Sequence, residues 1–431
     1  MLLGLVAPAL WNGFPLIFPD TGGYLDGPIL GAPVMGRSAL YGLFLYAGAP
    51  FSFRPNVVLQ SALIIWLIVL VISAHGFGGR PWFALGIVAM LTVCTSLPFF
   101  SAQLMPDILF PAAVLALYLL SLHNGRLARW ERFLLAAVVA IAIASHMAAA
   151  GMCIAMIAAL GLSTWFKPLT PAKPRMWFAA GGVAAGLVLC LISNLAITGN
   201  FAFTPGGSSF LFGRLIKDGI VARYLGEHCP DASLRLCNYK ATLPEHAGSG
   251  WLWDDDSPFR ELGGWKDLAA EERAITWATL ERYPFMHAST AAGDAVTQFF
   301  TFQTDVDVHH DEYAPTVNMF RVHFPNLLTP FMRARQQAET FDVAPLNYLH
   351  WPVAALSVLG LGPALLLRRR LKIAPEATAL CFVILLALVA NGAICGVFSD
   401  PSDRYQSRLV LLAPLATALL IARWRRTNRT A

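Results

Sequence analysis

The chain has 431 residues, of which 56% are hydrophobic and 13% charged, with a formal net charge of +5. Soluble domains carry about a quarter charged residues, so this composition excludes disorder, fibres and nucleic-acid binding as the main reading. The seven cysteines are too few for a disulfide scaffold, and the basic residues fall mostly in short clusters between apolar runs, a pattern that membrane topology explains without an anionic partner.

A hydrocarbon core about 30 Å thick needs roughly 17 to 25 apolar residues per helix. Ten stretches meet or approach that length: 2–18, 57–77, 82–100, 108–123, 133–152, 153–166 and 177–197, then 349–367, 377–398 and 409–422. The first is short, but no basic region precedes it and no small-x-small site follows it, so it reads as a span and not as a cleaved signal peptide. The expected fold is an all-α polytopic membrane protein with about ten transmembrane helices. A bundle of seven spans occupies 1–197, a mixed, mainly helical extracytoplasmic domain occupies 198–347, between the seventh and eighth spans, and a bundle of three spans occupies 348–431.

Orientation follows from the basic residues between spans. Fifteen lie in one set of loops, grouped around Arg80, Arg126, Lys167, Arg368 and Arg423, against four, Arg37, Arg54, Arg404 and Arg408, in the short loops of the other set. This asymmetry puts both termini in the cytoplasm of a bacterial inner membrane and the long segment in the periplasm. Of the 26 acidic residues, 19 lie in that segment, from Asp218 to Asp342. Cys229 and Cys237 are its two cysteines and the only ones outside the spans. In an oxidising compartment they suit a disulfide worth about 2 to 3 kcal/mol, with two free thiols as the alternative.

A carboxylate at a membrane boundary is costly unless solvated, paired or coordinated, which makes Asp20 and Asp107 candidates for chemistry. Asp20 ends the first span in Phe18-Pro19-Asp20-Thr21-Gly22-Gly23-Tyr24, where two glycines let the backbone approach a ligand. Asp107 closes the string ending Met105-Pro106-Asp107, just before the fourth span. Either could instead cap a helix. Positive charge is scarce on the same side. Arg37 opens an amphipathic stretch to Tyr46 that suits the interface, and Arg404 and Arg408 flank Tyr405 where the last span begins. Arginine forks suit phosphate oxygens; ion pairs with Asp400 or Asp403, or headgroup contact, are the alternatives.

Three weaker signals remain. Asp305, Asp307, His309, His310, Asp311 and Glu312 carry cation-ligating groups without a recognised spacing, so a solvated loop is the simpler reading. Trp251-Leu252-Trp253-Asp254-Asp255-Asp256 joins aromatic faces to carboxylates, as sugar-stacking sites do, although core tryptophans beside an acidic turn explain it equally. His146, inside the fifth span, reads as a helix-to-helix hydrogen-bonding group.

This layout resembles the polytopic GT-C superfamily of glycosyltransferases, which use polyprenyl-phosphate-linked sugars. The resemblance rests on Asp20 in Phe18–Tyr24, on Asp107 in Met105-Pro106-Asp107-Ile108-Leu109, on Arg37-Ser38-Ala39-Leu40-Tyr41 and on Arg404-Tyr405, and it covers mainly the first 125 residues. It departs from the family in two ways: Asp20 stands alone until Asp26, and the large soluble segment interrupts the spans where the family's often follows them. The resemblance implies sugar transfer from a polyprenyl-phosphate donor to a glycan, lipid or protein acceptor at the membrane. Asp20 and Asp107 would be catalytic, Asp20 as general base and Asp107 positioning the acceptor or coordinating a divalent cation. Tyr24, Arg37, Arg404, Tyr405 and Arg408 would bind substrate, and no other cofactor is implied. A transporter or flippase for a lipid-linked or hydrophobic solute, and a non-catalytic envelope assembly protein, are the competing classes; neither internal repeats nor broken midplane spans are evident in the sequence.

Overall fold

In the computed structural model, which describes residues 1–32, 35–163, 174–244, 247–304 and 314–429, the apolar runs fold as helices, and no strand occurs among the described residues. The first part contributes α1 (Leu2–Asn12), α2 (Pro19–Leu30), α3 (Ala39–Gly48), α4 (Arg54–Ile72), α5 (Pro81–Cys94), α6 (Leu97–Ala102), α7 (Leu109–Leu122), α8 (Arg129–Ser145), α9 (Met147–Ser163) and α10 (Trp177–Thr198). The long segment holds α11 (Gly207–Lys217), α12 (Ile220–His228), the single turns α13 (Pro258–Glu261) and α14 (Gly264–Asp267), then α15 (Ala269–Arg282), α16 (Pro284–Phe300), α17 (Ala314–His323) and α18 (Pro325–Met332). The chain ends with α19 (Asn347–Leu366), α20 (Pro375–Phe398), α21 (Asp403–Val410) and α22 (Leu412–Arg429).

Five helical stretches are long and apolar enough to cross a membrane: Arg54–Phe77, Trp177–Thr198, Ala344–Leu366, Pro375–Phe398 and Asp403–Arg426. Five shorter apolar helical stretches accompany them. Their outward faces are apolar too. Trp177, Leu356 and Leu366 stand 90%, 70% and 82% exposed, a surface that suits lipid and not water.

Several expected spans are interrupted. The first stops at Asn12, six residues short of Phe18, because the Asn12 amide donates to Phe14 O (2.9 Å) and to Gln336 Oε1 (3.1 Å) while Gly13 adopts left-handed backbone with φ 85°. The chain then leaves the helix until Pro19, and Leu16 forms an isolated parallel bridge with Gln103, Leu16 N–H donating to Ala102 O (3.0 Å) and Leu104 N–H to Leu16 O (2.8 Å). These bonds satisfy backbone groups that a buried, non-helical segment would otherwise orphan. The run 82–100 breaks between α5 and α6. The boundary between the fifth and sixth expected spans falls at His146, in extended conformation, not between Met152 and Cys153. There His146 Nδ1 accepts the Ala148 N–H (3.2 Å), so the imidazole caps the next helix.

Packing divides the long segment. Phe212, Leu215, Trp251, Phe259, Leu268 and Ile275 form a core of their own, and Cys229 and Cys237 are joined by a disulfide beside it. Phe302, Met319, Phe320, Leu327, Phe331 and Phe341 instead belong to the core shared by the N- and C-terminal helices. Polarity had drawn 198–347 as one unit; the packing groups α17 and α18 with the bundle, where Gly22 N–H donates to Thr316 Oγ1 (3.1 Å) and Arg335 N–H to Asn12 O (3.0 Å).

Arg126 and Arg423, from one set, and Arg408, from the other, lie toward opposite ends of α20. At its start, Glu376 accepts Arg423 Nη2 (3.2 Å) and faces Arg126 Nη2 at 3.7 Å. Near its far end, Asn391 Oδ1 accepts Arg408 Nη2 (3.2 Å). The fifteen residue steps from Glu376 to Asn391, at about 1.5 Å each, separate the two clusters by about 22 Å along the helix.

Candidate functional site

The carboxylates and arginines singled out from the sequence meet in one network. α2 begins at Pro19, with Phe18 as its N-cap and the Phe18 N–H donating to Thr21 Oγ1 (2.9 Å). Asp20 is therefore in the first helical turn and its side chain is free of capping duty. One of its oxygens pairs with Arg37 and the other accepts Arg404 Nη1 at 3.4 Å. Asp107 sits in the turn Pro106–Ile108 that precedes α7, and it does not cap that helix. Arg404 grips it in a fork, Nε to Oδ1 at 3.1 Å and Nη2 to Oδ2 at 2.9 Å, and Arg408 Nη1 donates to Oδ1 at 2.9 Å.

The i, i+4 spacing on α21 puts Arg404 and Arg408 on one face, toward α7. Asp400 and Asp403 lie elsewhere. Asp400 pairs with Lys217, and Asp403 Oδ1 accepts the Gln303 N–H. Flat guanidinium groups also cover aromatic rings: Arg404 lies 4.0 Å from the Phe18 centroid and Arg408 3.4 Å from that of Phe110. Such contacts add attraction where water is excluded. Tyr405 accompanies both, with its ring 5.2 Å from the Arg408 guanidinium and its hydroxyl 3.1 Å from Ser399 Oγ. Tyr24 is buried beneath Arg37, whose guanidinium lies 5.9 Å from the ring.

Exposure separates the two acids. The Asp107 and Arg408 side chains are 0% exposed and Arg404 is 6% exposed, whereas Asp20 is 30% and Arg37 15% exposed. Asp107 has both oxygens occupied by arginines. Asp20 is the acid a reactant could reach. Burial alone would raise its carboxyl pKa, but Arg37 and Arg404 outweigh that and hold it below the ordinary carboxylate value. Three guanidinium groups contact these two carboxylates, and the Asp26 carboxyl lies within electrostatic reach of Arg37. The Nε–H groups of Arg37 and Arg408 are buried without a hydrogen-bond partner among the described residues. A small cleft opens beside Arg37, lined by Tyr24, Gly27, Ser38, Asn194 and Thr198. The site therefore combines one partly accessible carboxylate with three guanidinium groups, beside a cleft that holds about one water.

The paired glycines have a different duty from the ligand approach expected of them. A Cβ on Gly22 would stand 2.8 Å from Thr316 Oγ1, and one on Gly23 would stand 2.9 Å from Arg37 Nη1. Gly22 admits α17 and Gly23 admits the arginine. Trp251 is fully buried between Phe212 and Phe259, and Asp255 pairs with Arg260 at 3.0 Å, so that string is core plus surface ion pair. The suggested cation ligands Asp305, Asp307, His309, His310, Asp311 and Glu312 lie outside the described residues.

Sequence reasoning passed over Asn391, Cys395 and Gln406, which complete the network. Asn391 Nδ2 donates to Gln406 Oε1 (2.8 Å) and Tyr405 O (2.6 Å), and Arg408 Nη2 approaches Cys395 Sγ at 3.4 Å. The available signal was a carboxamide within the apolar run 377–398, since such groups in membrane helices bond to neighbouring helices. Comparison with family models, with curated proteins and with solved structures gives no match to this chain.

Proposed function

We propose that the chain is a membrane glycosyltransferase that moves a sugar from a polyprenyl-phosphate donor to an extracytoplasmic acceptor with inversion at the anomeric carbon. The observation that carries the reading is the meeting of Asp20, Asp107, Arg37, Arg404 and Arg408 in one network, with Asp20 the partly exposed acid. Ten membrane crossings, cytoplasmic termini and a periplasmic long segment in a bacterial inner membrane complete the proposal. They are supported by the separation of Arg126 and Arg423 from Arg408 along α20 and by the one-sided count of basic residues.

The chemistry asks for a base and a cation. The acceptor hydroxyl gives its proton to Asp20 as its oxygen bonds to the anomeric carbon; the bond from that carbon to the phosphate oxygen breaks, and polyprenyl phosphate leaves with the electron pair. Arg37 and Arg404 take the developing phosphate charge, since both already face the carboxylate that the acceptor must approach. When Arg37 turns from Asp20 to the phosphate, the carboxylate loses a partner that lowers its proton affinity and becomes a better base. Asp107 is a positioning residue here: it is inaccessible and holds Arg404 and Arg408 in place. The test is purified protein with a labelled polyprenyl-phosphate sugar in proteoliposomes. Release of polyprenyl phosphate with transfer of label supports the reading; intact donor moved across the bilayer replaces it with the transporter class.

A further inference from the structure

We infer that α16 is a membrane-embedded helix that enters the leaflet on the side of the Asp20–Arg404 cluster and presents one face to lipid acyl chains. The sequence gives little sign of this, because α16 lies inside the segment that holds most of the acidic residues and is only 17 residues long. Three observations carry it.

The first is what α16 packs against. Gly392 and Gly396 stand four apart on α20, in the small-xxx-small spacing by which membrane helices approach closely. A Cβ on Gly396 would stand 2.6 Å from Asp294 O, and one on Gly392 would stand 3.4 Å from Ala295 O and from Phe299 Cβ. α16 is thus pressed backbone to backbone on a candidate span, antiparallel to it.

The second is depth. α20 has 24 residues and so is about 36 Å long, against a hydrocarbon core of about 30 Å. Centred in that core, it overshoots by about 3 Å at each end. Gly392, six residues before Phe398, then lies about 6 Å below the boundary, with Ala295 on its shallower side and Phe299 on its deeper side.

The third is the face turned away from α20. Pro284, Phe285, Ala288, Ser289, Ala292, Gly293, Val296, Thr297 and Phe300 are the exposed residues of α16, and none is charged. Val296 and Phe300 are 59% and 62% exposed at the deep end. The charged residue of α16, Asp294, points inward to Arg214 Nε at 3.3 Å. A helix of a water-facing domain puts its charges outside and its apolar residues inside; α16 does the reverse. Its deep end also reaches the site, for Gln298 Nε2 donates to Ser402 O (2.8 Å) while Gln298 Oε1 accepts the Ser402 N–H (2.9 Å), two residues before Arg404.

The inference rests on α20 being a span, and the experiment keeps the two apart. Nitroxide spin labels are placed singly at Ala292, Val296 and Phe300, and at Val389, an exposed position on α20, in the full chain reconstituted in bilayers, and their relaxation by oxygen and by a nickel chelate is compared. Labels at 296 and 300 that favour oxygen, as the label at 389 does, are the expected result. Labels at 296 and 300 that favour the nickel chelate while 389 favours oxygen overturn the inference alone. A nickel preference at all positions overturns the span reading with it. As a second variant, Val296→Asp is expected to lower the yield of membrane-integrated protein severalfold while Glu281→Lys, on the exposed end of α15, leaves it unchanged; equal yields overturn the inference.

Discussion

Replacing Asp107 with Asn probes the buried half of the charge network. Asp107 is 0% exposed and accepts three charged hydrogen bonds, at 3.1, 2.9 and 2.9 Å, from Arg404 and Arg408. The amide keeps one acceptor but loses the charge and turns an NH2 toward a guanidinium. Removing one partner of a buried pair leaves an uncompensated charge and costs about 3 to 5 kcal/mol. The wild-type arrangement is no large source of stability by comparison, since burying the ions already offsets most of their attraction. Asp20, partly open to solvent, predicts the contrast: Asp20→Asn costs about 1 kcal/mol or less. Reversible unfolding in mixed micelles, followed by circular dichroism, measures both. A cycle with Arg408→Gln completes the test, with a coupling energy of about 1 to 3 kcal/mol between positions 107 and 408. A stability of Asp107→Asn within about 0.5 kcal/mol of wild type would refute the reasoning, because the network would then be solvated or broken in the bilayer.

Two further outcomes follow from named contacts. In Gly23→Ala, the new methyl stands 2.9 Å from Arg37 Nη1 and displaces a flexible guanidinium, not backbone; donor turnover should fall by up to about a hundredfold at an unchanged unfolding transition, and unchanged turnover would show that Arg37 need not sit there. Glu272 is buried in the separate core, bonded to Ser209 Oγ at 2.5 Å, and burial raises its carboxyl pKa from 4.5 to about 7. The folded form then holds the proton more tightly than the unfolded form between pH 4.5 and 7, so stability falls as pH rises through that window, by roughly 3 kcal/mol in all. Glu272→Gln should flatten that pH profile in thermal unfolding; a profile identical to wild type would place the ionised group elsewhere.

The site was legible in the sequence for a physical reason. Acids at span ends and arginines on the sparsely basic side are both expensive in a membrane, so each stands out, and their meeting follows from opposite charge. The helices were legible as apolar runs, but their ends were less so. α1 stops at Asn12 because of Gln336, 324 residues away, and no local pattern can show such a partner. The duty of Gly22 was hidden in the same way, since Thr316 comes from a distant helix. α16 escaped because its period and length are those of an ordinary surface helix, and only the close approach to Gly392 and Gly396 reveals its surroundings. Asn391 escaped because one carboxamide barely changes the hydropathy of an apolar run.

The most direct test of the account is the turnover of a labelled polyprenyl-phosphate sugar by Asp20→Asn protein. The unfolding transition of that protein is first shown to match wild type. Sugar transfer is expected to fall to background while donor binding survives, since Arg37 and Arg404 remain. Undiminished transfer by the folded variant would contradict it.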